Sequence, residues 1–287
     1  MSTLLVLDFD GTMTDAEVEG GPFREGYLED ISILCGLPLD EVQALAEGFS
    51  QEVAQNAHAY GWDFQGRIVA PAVVDPYLRM MPVARKILDR AGAFTDYEER
   101  TRLLDGILYK YNYGKTLNCF RDGARQALEA LKGTATYVVT NSHTIPVKEK
   151  LRSLGLEADG SCSLDWLVDR VHGSAKKYYL DDTFEEVPEA MTLEGLPRPV
   201  LLRRKKYHTV LAQLLADEGL GWSDLVVVGD IFELDLSLPL AMGARVGLLA
   251  NPFTPDYEKN FLASHPRGAV LHRVQEIEAF AYGGASA

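Results

Sequence analysis

Cysteine is scarce in this 287-residue chain: Cys35, Cys119 and Cys162 are widely separated and form no C-x-x-C pair. That excludes a disulfide framework and a cysteine-built zinc site, and it suits a reducing, cytoplasmic setting. Long apolar runs are missing as well. No stretch approaches the roughly 18 apolar residues a membrane span needs, and the sequence opens on a strand pattern without a basic segment or an apolar signal core. Positive charge is in short supply, with 28 Lys and Arg against 42 Asp and Glu and a net charge of −14. This argues against nucleic acid or an anionic membrane as partner, since both require cations that replace counterions. An anionic small molecule would have to meet a locally positive pocket. Repeats and low-complexity tracts are absent too. What remains is an ordinary globular composition, 47% hydrophobic and 24% charged, long enough for a core domain plus a smaller one.

The apolar residues fall in short blocks. Leu4-Leu5-Val6-Leu7 is apolar throughout, as expected of a strand covered on both faces, and Gly11 supplies a turn beyond it. Similar blocks recur at Tyr137 to Thr140, Leu225 to Val228 and Arg245 to Leu249. Helical patterns lie between them at Gly123 to Lys132, at Val147 to Leu154 ending on Gly155, and at Tyr207 to Glu218. The alternation predicts an α/β fold with a Rossmann-like parallel sheet. Val18 to about Asn118 is instead dominated by helical patterning. Leu39 to Leu45 carries Asp40 as N-terminal cap, Val83 to Ala91 and Glu98 to Tyr109 follow, and Pro71, Pro76 and Pro82 divide them. The organisation expected is a core of residues 1–16 and 119–287, interrupted by a mostly α-helical domain of residues 17–118. Between Val171 and Leu202, Tyr178-Tyr179-Leu180 and Pro199 to Leu202 read as strands or extended pieces, with Asp181 to Glu189 a solvated loop.

Four polar groups stand at the ends of these strands or the starts of the following helices. Asp8-Phe9-Asp10-Gly11-Thr12 closes the first strand, and the strand period of two puts both carboxylates on one side. One can act as nucleophile or metal ligand while the other handles protons. Thr140-Asn141-Ser142 closes the second block with a hydroxyl and backbone amides that can bind a phosphoryl oxygen without adding negative charge. Arg203-Arg204-Lys205-Lys206 is a conspicuous basic run in so acidic a chain, and a lysine there could neutralise both a carboxylate and a phosphate. Gly229-Asp230 with Asp235 five residues on offers oxygen ligands for a hard cation, Asp235 and Glu233 backing the site or holding the lysine. For those two acids, a place in the first turn of a helix is an equally ordinary reading.

In this order the four groups resemble the haloacid dehalogenase (HAD) superfamily over Thr3 to Thr14 and roughly Phe120 to Leu249. The resemblance rests on Asp8-x-Asp10-x-Thr12, Thr140, a lysine at Lys205 or Lys206, and Gly229-Asp230-x-x-x-x-Asp235. It implies a HAD-like core with a helical cap inserted after the first motif. It further implies a phosphoric monoester hydrolase in which Asp8 forms an aspartyl-phosphate and Asp10 serves as acid and then base. Thr140, Asn141, Lys205 and Lys206 would bind the substrate, and Asp8, the Asp10 carbonyl and Asp230 would hold Mg²⁺. The family's spacing of about 25 residues between lysine and metal-binding acid favours Lys205, with Lys176-Lys177 a more distant alternative. Asp10 favours an alkoxide over a halide leaving group, and the size of the insertion favours a small phosphorylated metabolite. A phosphomutase, or a phosphate-responsive binding protein with little turnover, would use the same residues. Arg24, Arg67, Arg79, Arg85 and Lys115, with a cluster of His58, Tyr60 and Trp62, are the insertion's available polar groups. Nothing in the sequence indicates an oligomeric state.

Overall fold

A computed structural model describes residues 3–111 and 118–283, which leaves Lys115 outside the described region. Among the described residues ten strands follow in chain order: β1 (Leu4–Leu7), β2 (Gly61–Phe64), β3 (Arg67–Pro71), β4 (Ala135–Val139), β5 (Val171–His172), β6 (Ala190–Leu193), β7 (Leu196–Leu201), β8 (Leu225–Gly229), β9 (Arg245–Leu249) and β10 (Gly268–Leu271). Six of them form one parallel sheet in the order β10-β9-β8-β1-β4-β5.

The two-faced burial of this sheet follows from the strand period. In β1 every side chain is fully buried, yet Leu4 and Val6 join one apolar cluster with Val227, Tyr207 and Leu211, while Leu5 and Leu7 join another with Val138, Val228, Leu128 and Leu151. Consecutive residues thus serve opposite helical layers, which is why the block carries no polar position. The register then sets the site: Leu7 lies level with Val138 of β4 and Val228 of β8. Asp8, Thr140 and Asp230 therefore emerge at neighbouring carboxyl ends of three adjacent strands, on either side of the point where strand order reverses.

The chain divides into two compact units, residues 1–15 with 120–287, and residues 16–119. The second unit packs the helices Gly21–Cys35, Leu39–Gln55, Pro76–Ala91 and Tyr97–Tyr111 around Phe23, Tyr27, Ile31, Val42, Met80, Ile87 and Leu104. It also contains the antiparallel hairpin β2-β3, which helical patterning alone did not announce. Three local expectations are corrected. Pro38, not Asp40, occupies the N-cap of the second helix, with Asp40 and Glu41 in its first turn facing the helix dipole. Pro82 does not divide helices but lies inside Pro76–Ala91, where Met80, Val83, Ala84, Ile87 and Leu88 bury one continuous face. Packing of that face outweighs the hydrogen bond proline cannot donate. In the core, Tyr178-Tyr179-Leu180 forms no strand, Tyr178 lying in a turn closed by the Tyr179 amide on the Lys176 carbonyl, while Pro199 to Leu201 does pair, in the hairpin β6-β7. No helix among the described residues is long and apolar enough to cross a membrane.

The polar groups of the inserted unit mostly bind one another. Arg24 pairs with Glu47, Arg79 with Glu17 and the Val73 carbonyl, and Arg85 with Tyr97 and Thr101. Tyr60 joins Glu52 and Lys86. Asp75 caps the helix Pro76–Ala91 by accepting from the Leu78 amide at 2.9 Å. Burial pushes its carboxyl up to about 6, against which the amide hydrogen bonds pull only in part. A carboxyl that holds its proton more tightly folded than unfolded weakens the fold as it ionises, here as pH rises from about 4 through 6. Asp75→Asn keeps the acceptor and removes the charge. It is expected to raise thermal stability relative to the parent near neutral pH, with the gain vanishing towards pH 4. A loss at neutral pH would show that the charge is needed at the cap.

Candidate active site

The site begins with the turn after β1. The Asp8 amide donates to the Val228 carbonyl at 2.9 Å, which extends the β1-β8 pairing by one residue and fixes the carboxylate at the sheet edge. Gly11 then adopts a φ of +81°, and a Cβ there would lie 2.3 Å from Oδ2 of Asp230, so the turn admits no other residue without displacing that acid. Its carbonyl accepts two hydrogen bonds from the Arg121 guanidinium, at 2.9 and 2.7 Å, while the Arg121 amide donates to Met13. Nothing in the sequence around Arg121 marks it for this contact. The contact spans 110 positions.

Three carboxylates, Asp8, Asp230 and Asp235, converge in this turn, all buried, with one oxygen of each within 4.8 Å of the others. The buried Thr12 hydroxyl lies between two of them, 3.1 Å from Oδ2 of Asp8 and 2.9 Å from Oδ1 of Asp230. Burial pushes the Asp8 carboxyl up to about 7, with Lys177 opposing and Asp235 adding to the rise. Burial and then the charges of Asp8 and Asp235 also hold Asp230 well above the usual carboxylate range. The cation that answers this cluster is Lys177. Its ammonium is 2.6 Å from Oδ1 of Asp8 and 2.8 Å from Oδ1 of Asp235, and the side chain is 1% exposed. Burial alone would lower the lysine's proton affinity; Asp235 and Asp8 outweigh it and keep the group charged.

The place expected for Lys205 is thus taken by Lys177. Lys205 opens the helix Lys205–Glu218 with its side chain half exposed, 3.4 Å from Asp181. Lys206 is exposed with its ammonium over the Tyr179 ring. The member of the basic run that reaches towards the site is Arg204, fully buried, whose Nη1 donates to the Lys177 carbonyl at 2.6 Å. Spacing along the chain points to Lys205 and not to the lysine that touches Asp8, because the β6-β7 hairpin intervenes between Lys177 and β8 and lengthens that interval. Asn141 stands beside the loop that carries Lys177. Its Oδ1 accepts from the Lys177 amide at 2.7 Å, so it holds the lysine's loop to the end of β4. That loop turns through positive φ at Ser174 and Lys176 and runs close beneath residues 140–144, with Gly173 too near the Thr144 amide for any Cβ.

Thr140 lies where the strand pattern put it, 2% exposed, its hydroxyl accepting from the Ser142 amide and standing 3.5 Å from Oδ2 of Asp10. Asp10 is the more open acid, its side chain 33% exposed, with Lys150 of the helix Thr144–Leu154 at 3.1 Å from Oδ1. Asp235 has both oxygens engaged, Oδ1 by Lys177 and Oδ2 by the Ile231 amide at 3.0 Å, and Gly229 makes room for it at a distance a Cβ would close to 2.5 Å. Glu233 turns away to a bidentate pair with Arg198 at 2.8 and 2.6 Å. The three cysteines are free thiols.

Removing one charge from a buried ion pair leaves the partner uncompensated, at about 3–5 kcal/mol, whereas a surface lysine is worth within about 0.5 kcal/mol. Lys177→Met should therefore lower the free energy of urea unfolding by several kcal/mol near neutral pH without divalent metal, and Lys205→Met should barely change it. Equal effects would remove Lys177 from its place in the cluster.

Comparisons with known proteins agree on the class. The family model for haloacid dehalogenase-like hydrolases matches residues 3–243. Among solved structures, the fold resembles the HAD hydrolase YfnB of Bacillus subtilis, solved bound to magnesium, with a TM-score of 0.55 and 14% identity over 98% of this chain and 99% of that one. It also resembles a predicted phosphoglycolate phosphatase of Haemophilus somnus, with a TM-score of 0.53 and 17% identity over 96% of each chain. A HAD-like protein of Agrobacterium tumefaciens gives 0.52 and 15% over 97% of each. No curated protein matches the sequence. The extent of the family match, on this core and this strand order, makes the chain a member of the haloacid dehalogenase-like hydrolases.

Proposed function

We propose that this hydrolase is a Mg²⁺-dependent phosphatase of a small phosphorylated metabolite, acting through an aspartyl-phosphate on Asp8. The observation that carries the reading is the pairing of Asp8 with a fully buried lysine beside a second buried carboxylate, Asp230, while Asp10 stands two residues on and more open to solvent. The donor set suits a hard dication. Asp235 has a separate donor on each oxygen, whereas Asp8 and Asp230 face each other across the one proton of the Thr12 hydroxyl, and burial with mutual repulsion makes their joint ionisation costly without a further cation. Asp8, Asp230 and the Asp10 main-chain carbonyl would hold Mg²⁺, which would offset the repulsion between an anionic nucleophile and an anionic phosphate.

The remaining chemistry belongs to the chain itself. Asp8 attacks phosphorus, and Lys177, touching its Oδ1, favours the ionised form needed for attack. In this reading Lys177 and Thr140 bind non-bridging phosphoryl oxygens as charge develops on them. Asp10 gives its proton to the departing alkoxide and then takes one from the water that releases phosphate. An acid in that position has little use when halide departs, which supports phosphate esters over haloacids as substrates.

Release of phosphate from p-nitrophenyl phosphate with Mg²⁺ is expected, with loss of activity in chelator and a fall of about a thousandfold or more in Asp8→Asn. A panel of small phosphate esters and 2-haloacids then sets the class. Metal-independent turnover, full activity in Asp8→Asn, or faster halide than phosphate release would overturn the reading.

A further inference from the structure

Lys150 belongs to none of the four groups that mark the site, yet it touches the residue whose orientation matters most for leaving-group departure. It lies on the helix Thr144–Leu154, which begins just beyond Thr140. Its ammonium is 3.1 Å from Oδ1 of Asp10, its side chain is only 19% exposed, and it stands 5.9 Å from the centre of the Phe9 ring. The Thr140 hydroxyl is 3.5 Å from the other oxygen, Oδ2. Each oxygen of Asp10 thus faces its own donor, one at the end of β4 and one on the helix that follows. The closer Lys150 contact and the longer Thr140 one come from one continuous segment and together limit rotation of the carboxylate. Asp8 has a different lysine, so the two acids are held independently.

We infer that Lys150 is a positioning residue for Asp10, holding its carboxyl group in the orientation from which the proton reaches the leaving oxygen. The inference rests on the phosphatase reading. The balance of the step is simple. The Asp8–phosphorus bond forms, the phosphorus–oxygen ester bond breaks, and the Asp10 proton ends on the departing oxygen. A leaving group that is already stable as an anion needs that proton little, and a basic alkoxide needs it greatly. The contribution of Lys150 therefore grows with leaving-group basicity, whereas a purely structural lysine would affect all substrates alike, and a substrate-binding one would act on KM.

The test uses the full chain with Mg²⁺ and measures kcat and KM for p-nitrophenyl phosphate, phenyl phosphate and the best alkyl phosphate from the panel. Lys150→Met is expected to lose about tenfold or more kcat/KM on the alkyl ester beyond its loss on p-nitrophenyl phosphate, a part of the roughly 10²–10⁴-fold that a general acid contributes. Lys150→Arg should restore most of the difference. Combined with Asp10→Asn, Lys150→Met should add no further loss. Equal losses across the series, a change confined to KM, or additivity with Asp10→Asn would each overturn the assignment. Should Lys150→Met not fold, Lys150→Gln gives the same comparison. An unsubstituted protein that hydrolyses none of the esters would instead overturn the phosphatase reading, and the inference with it.

Discussion

The ion pair of Lys177 with Asp8 and Asp235 is the constraint around which the site is built. Three carboxylates lie buried at the ends of strands that must stay apolar to fill two helical layers, so each acid is cut off from the solvent that would otherwise stabilise it. One ammonium at 2.6 and 2.8 Å from two of them answers part of that charge. The rest explains why the neighbourhood is so densely tied. Arg204 holds the lysine's carbonyl, Asn141 holds its amide, the Tyr207 hydroxyl holds the carbonyl of Asp235, and Arg121 holds the turn at Gly11. In the function proposed above, the residual anionic excess on Asp8 and Asp230 is what would receive a dication and, with it, a phosphate.

The same arrangement separates two kinds of work on two neighbouring acids. Asp8 is buried against Lys177. Asp10, two residues further, is three times as exposed in its side chain, at 33% against 10%, and has donors of its own. A single strand end thus presents one sheltered acid and one with access to solvent, because Asp10 lies in the turn beyond β1, where the strand period of two no longer puts both carboxylates on one side.

Much of this arrangement is legible in the order of the amino acids. Apolar blocks mark β1, β4, β8 and β9, and the polar residues at their ends mark Asp8, Asp10, Thr140 and Asp230 as neighbours, since parallel strands in register bring their carboxyl ends together. What the order does not reveal is whatever depends on distance across the fold. Lys177 lies in a loop without periodicity, and the β6-β7 hairpin lengthens the stretch between it and β8, so spacing points instead to Lys205. Arg121 and Lys150 act through contacts more than a hundred positions apart, where a sequence offers no mark. Short strands such as β5 and β10 escape because two to four residues carry too little pattern to distinguish them from loop.

The central claim, phosphoryl transfer to Asp8, has a direct measurement. A single turnover in ¹⁸O-water, quenched in acid and followed by mass spectrometry of phosphate and of the peptide carrying Asp8, locates both the intermediate and the bond that water breaks. Attack of water on phosphorus places ¹⁸O in phosphate, with a phosphoryl group caught on Asp8 at early times. A label in the Asp8 carboxylate, as hydrolysis of a carbon ester would leave, or a phosphoryl group on any other residue, would contradict the account.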